Sequence, residues 1–187
     1  MWSAKRISAD AASKLQINAG LLLKNFDVEN PVEPIDTDII CETTGNFSIS
    51  SVPTLEDFFA DINNAPANTK DGLRVTGWEH TLGVTAVSIT EETLRMALNA
   101  KAPDISASVI RPGTEITFCE KLYWIGDMSD PDKLFVVCME NVASTGGLSF
   151  TSSDDGKGGL ALSLRAYESI PSDPLNTPVS YHIIEKK

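Results

Sequence analysis

From Ser106 onward the chain repeats one device, a short apolar segment closed off by residues that force a reversal. Six such segments follow one another: Ser106 to Ile110, Glu115 to Ile125, Leu134 to Val142, Leu148 to Thr151, Leu160 to Tyr167 and Val179 to Ile184. Between them stand Arg111-Pro112-Gly113, Ser129-Asp130-Pro131-Asp132, Gly146-Gly147 and Asp154 to Gly159, which supply the fixed or positive φ that tight turns need. Short segments at this spacing specify strands joined by turns. Leu134, Val136 and Cys138 oppose Phe135, Val137 and Met139, so that strand is apolar on both faces and belongs at the middle of a sheet or between two layers.

The first half holds fewer regular segments. Leu15 to Phe26 reads as a strand or two and a loop, stopped by Asn30-Pro31 and Glu33-Pro34. In Cys41 to Ser50, Phe47 and Ile49 alternate with polar neighbours after Gly45, a turn or bulge residue. Arg74 to Ile89 is again strand-like, with a parity change that predicts a bulge near Ala86. Helix signals gather at one place. Thr90 is an N-cap, Glu91 and Glu92 favour the first turn, Ile89 can pack on Leu94, and Pro103 forbids continuation, which predicts a helix over about 91–100. The fold class is therefore mainly β, a β-sandwich or small barrel with one flanking α-helix.

Ser51 to Leu73 has no sustained period and is too long for a simple hairpin, so it is expected to be a long loop. Leu55, Phe58, Phe59 and Ile62 are too apolar to be left in water there; they need cover either from this subunit's own core or from another surface. Residues 1–14 carry no apolar stripe and are expected to be an N-terminal arm, mobile or briefly helical, ahead of a single domain over 15–187.

Charge narrows the function classes. The net charge is −11, and Asn25 to Thr69 holds nine acids with no Lys, Arg or His. Binding to nucleic acid by phosphate neutralisation needs the opposite. The apolar run Leu134 to Met139 is far too short to span a bilayer, and the polar Ile7 to Lys14 supplies no signal-peptide core after Lys5 and Arg6, so a soluble, unsecreted protein is expected. Cys41, Cys119 and Cys138 are odd in number and widely spaced, the pattern of free structural thiols.

No catalytic or metal constellation stands out. His80 and His182 have no ligand partner at metal spacing beyond Glu79, and Asp127, Asp130 and Asp132 lack the glycine and closing glutamate of a calcium loop. Asp154 to Gly159 precedes a strand, where a phosphate-binding loop must open a helix. The expectation is no enzyme, no metal and no cofactor.

With chemistry absent, the order of segments carries the information. The strand TGNFSIS, the loop VPTLEDFFADINNAP running into TGWEHTLGV, the strand KLYWIGD, and VASTGGLSF before DDGKGGLALSL resemble the major tail tube proteins of long-tailed bacteriophages. With the opening LQINAGLLLKNFD, the likeness touches most of the chain from Leu15 to Tyr167. Residues 1–14 have no matching counterpart. The resemblance implies a structural virion protein, six to a ring, with stacked homohexameric rings forming the conduit for DNA ejection. It implies assembly in the host cytoplasm around a tape-measure protein, with tail terminator and baseplate proteins as partners, and viral DNA passing without specific binding. It makes Leu55, Phe58, Phe59 and Ile62 a subunit interface and Asp36, Asp38 and Glu42 candidate acids of the lumen. Two alternatives stand beside it: the tube of a contractile tail, bacteriocin or secretion particle, and a monomeric carbohydrate-binding β-sandwich that stacks a sugar on Trp78 or Trp124.

Overall fold

The computed structural model describes residues 16–45, 47–101, 109–153, 156–169 and 177–186. The N-terminal arm over 1–14 and most of the strand expected over Ser106 to Ile110 lie outside them. The described elements are β1 (Gln16–Leu23), β2 (Ile39–Thr43), β3 (Ser48–Asp57), β4 (Leu73–Ala86), α1 (Glu91–Ala97), β5 (Cys119–Met128), β6 (Lys133–Ser144), β7 (Ser149–Ser153), β8 (Gly156–Ala166) and β9 (Val179–Glu185).

All pairings are antiparallel, and six of the strands close on themselves in the order β1, β2, β4, β8, β6, β5 and back to β1. Closure removes the open edges that invite non-native pairing. Outside the ring, β3 adds to β4, β7 to β8 and β9 to β6. The fold is mainly β with one helix among the described residues, as the alternation requires. Sandwich and barrel describe the same object here, because the ring is two sheets joined at narrow corners.

At one corner, Thr43 pairs with Ala86, flanked by hydrogen bonds from Thr44 N to the Thr85 carbonyl and from Val87 N to the Glu42 carbonyl, each 2.9 Å. At the other, β6 leaves β9 after Met139 and takes up β8 at Val142. The change of partner happens at Asn141, whose φ of +51° lies in the left-handed region that asparagine tolerates better than most side chains. Its position explains why β6 can be apolar on both faces: Val137 and Met139 point into the ring, and Val136 points out to a second apolar layer.

The interior is organised by Trp124, which is fully buried. Its ring stacks on Phe47 at 3.8 Å between centroids and meets Phe135 edge-on at 6.3 Å. Its Nε1 donates to Thr43 Oγ1 at 3.2 Å, and that hydroxyl donates to the Gly20 carbonyl at 2.9 Å. Gly20 and Gly126 face each other across β1 and β5, and a methyl group on either would overlap the indole. Glycine is required here for space. The outer layer, around Leu23, Tyr123, Ile125 and Val136, is covered by Phe26 and Val28 from the segment that links β1 to β2.

Thr90 caps α1 as expected: its hydroxyl accepts from Thr93 N at 3.1 Å, and Thr93 Oγ1 accepts from Thr90 N at 2.9 Å. Ala97 reaches the core, with Leu94 and Met96 packed beside it. Three details around the helix differ from the sequence reading. The helix ends at Ala97, where the Ser144 hydroxyl donates to the Ala97 carbonyl at 3.1 Å and ties the last turn to β6. Ile89, expected to pack on Leu94, is half exposed. No bulge occurs near Ala86, which ends β4 in regular pairing with Leu160; Val87 and Ile89 belong to the turn before α1.

The Gly20→Ala and Gly126→Ala variants should each lose about 1–3 kcal/mol of stability through overpacking. Because both displace the same ring, the double variant should lose less than the sum. Urea denaturation midpoints check both statements.

Candidate assembly surface

Residues 51–57, expected as the start of a loop, are strand. β3 and β4 form one long hairpin with register Ser48↔Gly83 through Asp57↔Leu73, and only residues 58–72 make up its tip. Pro53 would argue against a central strand, but β3 lies outside the ring at the end of the sheet, where proline is tolerated.

The pairing of β8 with β4 stops at His80, opposite Ala166. Beyond it, from Glu79 to Leu73, β4 pairs with β3 alone among the described residues. A free two-stranded ribbon is marginal in water. Its two faces differ sharply. One face carries the cross-strand pairs Ser51/His80, Pro53/Trp78, Leu55/Val75 and Asp57/Leu73; the other carries Val52/Glu79, Thr54/Gly77 and Glu56/Arg74. The first is the same face that buries Leu82 and Ile49 in the core one pair further in. The apolar face of the barrel therefore continues past the barrel wall, and among the described residues it stays largely open: Leu55 is 56% exposed, Val75 52% and Trp78 40%.

A bulge keeps that face continuous. Thr54 pairs with Gly77 and Leu55 with Val75, so Thr76 is the extra residue, its hydroxyl donating to the Thr54 carbonyl at 3.3 Å. In strict alternation Trp78 and Val75 would sit on opposite faces.

Asp57 organises the tip. Its carboxylate accepts from Phe59 N at 3.0 Å and from Asn68 N at 2.6 Å. Successive i to i+3 bonds follow from Ala60 N, Ile62 N and Ala65 N, and Asn64 and Asn68 take positive φ. Phe59 folds back on Gly72, where an added Cβ would lie 2.9 Å from its ring. Phe58 and Ile62 remain 54% exposed. Leu55, Phe58, Phe59 and Ile62 are thus brought together on one projecting element, and they do not close over this subunit's own core. Trp78, singled out in the sequence only as a sugar platform, belongs with them, as do Val75 and Leu73, whose shared face the bulge hides.

The base of the ribbon is fastened by a polar chain. His80 is buried and its Nδ1 shares a 2.7 Å hydrogen bond with Ser51 Oγ, which also bonds Tyr181 OH on β9. Tyr181 lies parallel to Phe135, and Trp78 stacks beside His80 at 6.0 Å. Tyr181 and Ile183 pair with Val137 and Phe135, so β9 too continues the core face, and both are exposed.

The candidate lumen acids lie on other elements. Asp36 and Asp38 sit in the segment between β1 and β2, and Glu42 is on β2. Asp36 and Glu42 are exposed; Asp38 accepts from Asn25 Nδ2 at 3.0 Å, and Glu42 accepts from Ser88 Oγ at 2.9 Å. Trp124, offered as a sugar platform, is corrected: it is wholly interior, held there by Phe47 and the Thr43 hydroxyl. His182 bonds Ser180 at 2.9 Å. Cys41, Cys119 and Cys138 are free thiols; burial pushes Cys41 up to about 12 and raises the other two. Among the described residues no helix is long and apolar enough to cross a membrane.

Burial holds His80 neutral and lowers its pKa from the ordinary 6.5, while the Glu168 carboxylate pulls it up. Unfolding frees the ring to take a proton as pH falls through 6.5, so its contribution to stability is kept above that value and lost below it. Urea midpoints should drop as pH falls below 6.5, and the His80→Gln variant should show a shallower slope there. Equal slopes would remove His80 as the source.

No protein-family model and no curated protein matches this sequence.

Proposed function

We propose that this chain is the repeating subunit of a long-tailed phage's tail tube, a structural protein that completes its core face only against sister copies. The observation that carries the reading is the ribbon: a core-lining face that runs out of its own barrel on β3 and β4 and is left exposed by the described residues. Aromatic and aliphatic residues stripped of charge are what interface centres are made of. A ribbon that docks on a different part of the next copy makes a head-to-tail contact, which closes into a ring or continues as a filament. Resemblance to tail tube proteins supplies the rest of the proposal: stacked hexameric rings, assembly with tape-measure, terminator and baseplate proteins, and a conduit for DNA in the virion tail. The acidic balance suits a bore that DNA must slide through, because like charge opposes phosphate adhesion.

Negative-stain microscopy of concentrated protein should show tubes with a regular axial repeat. The double variants Phe58→Ser/Phe59→Ser and Val75→Ser/Trp78→Ser should keep the circular dichroism of the native fold and sediment as monomers. Loss of the fold would place these residues in the subunit's own core, and unaltered tubes would put the interface elsewhere.

For the lumen, the triple variant Asp36→Asn/Asp38→Asn/Glu42→Gln should still form tubes while DNA ejection slows, most at low salt where charge is least screened. Ejection that is unchanged in rate and salt response would take these acids out of the bore.

A further inference from the structure

The ribbon leaves the barrel at a histidine. His80 is 5% exposed, and the residues that follow it on the inward face of β4, Leu82, Val84 and Ala86, are apolar and buried. Its ring has two nitrogens and one partner: Nδ1 shares the 2.7 Å bond with Ser51 Oγ, while Nε2 is buried without a hydrogen-bond partner among the described residues. Ser51 faces His80 across β3 and β4, at the last position where β4 still has β8 on its other side, and its hydroxyl also bonds Tyr181 OH. Three side chains thus join β4, β3 and β9 where the barrel ends.

Only a neutral ring suits this seat. Neutral imidazole carries a single N–H, so Nε2 is left as one uncharged polar atom without a partner; the protonated ring carries an N–H on both nitrogens and would seal a charged donor at Nε2 with no acceptor. Burying an unpaired charged donor costs far more than burying a neutral one. The titratable groups around the ring are the Tyr181 phenol from β9 and the Glu168 carboxylate from the segment after β8, which favours the charged form from outside the seat. On the opposite strand faces, Glu79 of β4 is bridged to Arg165 of β8 at 3.1 Å, and His182 of β9 bonds Ser180. Near His80, β3 contributes Ser51 and Pro53 to this face, and β6 contributes Phe135 and Val142, all uncharged.

We propose that His80 is a pH-operated latch on the ribbon. Neutral, it holds the ribbon's root to β9 through Ser51 and Tyr181; protonated, its ring turns out toward water and the Glu168 carboxylate, Ser51 lets go of Tyr181, and the ribbon swings free of β9 while the barrel stays closed. The swing has room, because from Glu79 outward β4 pairs with β3 alone among the described residues, and Trp78, stacked beside His80 at 6.0 Å, moves with them. Its direction follows from linkage: burial lowers the pKa of the latched ring below 6.5, and the freed ring returns toward that value, so protons favour the open form. Below 6.5 the ratio of open to latched ribbon rises by up to about tenfold per pH unit, until the latched ring itself titrates. The consequence for assembly rests on the tail-tube reading: a ribbon held in one attitude is preorganised for docking, and a swinging one is not.

Nuclear magnetic resonance of the full chain as a dilute monomer, with isotope-labelled histidine rings, tests the latch. His80 and His182 are the chain's two histidines, so the second serves as the internal reference. As pH is lowered from neutrality, cross-relaxation between the Tyr181 ring and the Ser51 β-protons should fall several-fold with the midpoint of the His80 titration, while that between Trp124 and Phe47 holds. In the His80→Gln variant the Tyr181–Ser51 contact should persist through the same range. The Tyr181→Phe variant, which keeps the histidine and removes the tie, should show a mobile ribbon already at neutral pH by backbone relaxation. A contact that outlasts protonation of His80, one lost at the same pH in His80→Gln, or one lost only together with the Trp124–Phe47 contact would each overturn the proposal. Failure of the concentrated protein to form tubes would count against the assembly reading and leave the monomer result standing.

Discussion

The indole of Trp124 is the contact on which the rest of the fold depends. It fills the ring of strands from β5, lies over the facing glycines Gly20 and Gly126, stacks on Phe47 at the entry to β3, and meets Phe135 from β6. Its one polar atom is satisfied through Thr43, whose hydroxyl in turn satisfies Gly20. Five separate segments thus register against a single side chain. A six-stranded ring is otherwise hard to fill, since interiors tolerate neither voids nor excess volume. With the interior full, the ring can close at corners as narrow as the one between β2 and β4.

A filled ring has no room for what lies beyond His80. The ribbon keeps the parity of the strands it grows from, so its apolar side emerges on the side that faces inward further down. Ser51 bonds both His80 on β4 and Tyr181 on β9, which holds the ribbon's root against another strand that carries the inner face outward. Stability of the subunit and availability of the surface are therefore separable: the first rests on Trp124 and the closed ring, the second on strands that overrun it.

Local chemistry was legible in the sequence, and long-range closure was not. The Thr90 cap needs only Thr93 nearby, and the doubly apolar Leu134 to Met139 announces a strand with neighbours on both sides. Turn residues placed β6, β7 and β9 to within two residues, whereas β5 begins and ends later than its apolar run and β8 begins inside the expected turn Asp154 to Gly159. Ring closure depends on Thr43 meeting Ala86 and on Asn141 turning β6 toward β8, pairings with no trace in periodicity. The hairpin was hidden twice, by Pro53 in an outlying strand and by Thr76 shifting the parity. Leu55, Phe58, Phe59 and Ile62 could still be singled out, because apolar residues in a segment without period have no internal reason to be there. Trp124 failed for the converse reason: one tryptophan in an alternating strand looks the same whether its face is wet or dry.

The extra residue at Thr76 also governs how this ribbon can change length over evolutionary time. Matched additions of two residues to each strand would lengthen it and leave the apolar side where it is, since side chains alternate with period two. A single insertion or deletion on the barrel side of Thr76 would turn Val75 and Leu73 away from Trp78, splitting one greasy side into two half-sides. Reach can therefore drift among descendants in even steps, while the handedness of the sticky side is inherited with the bulge.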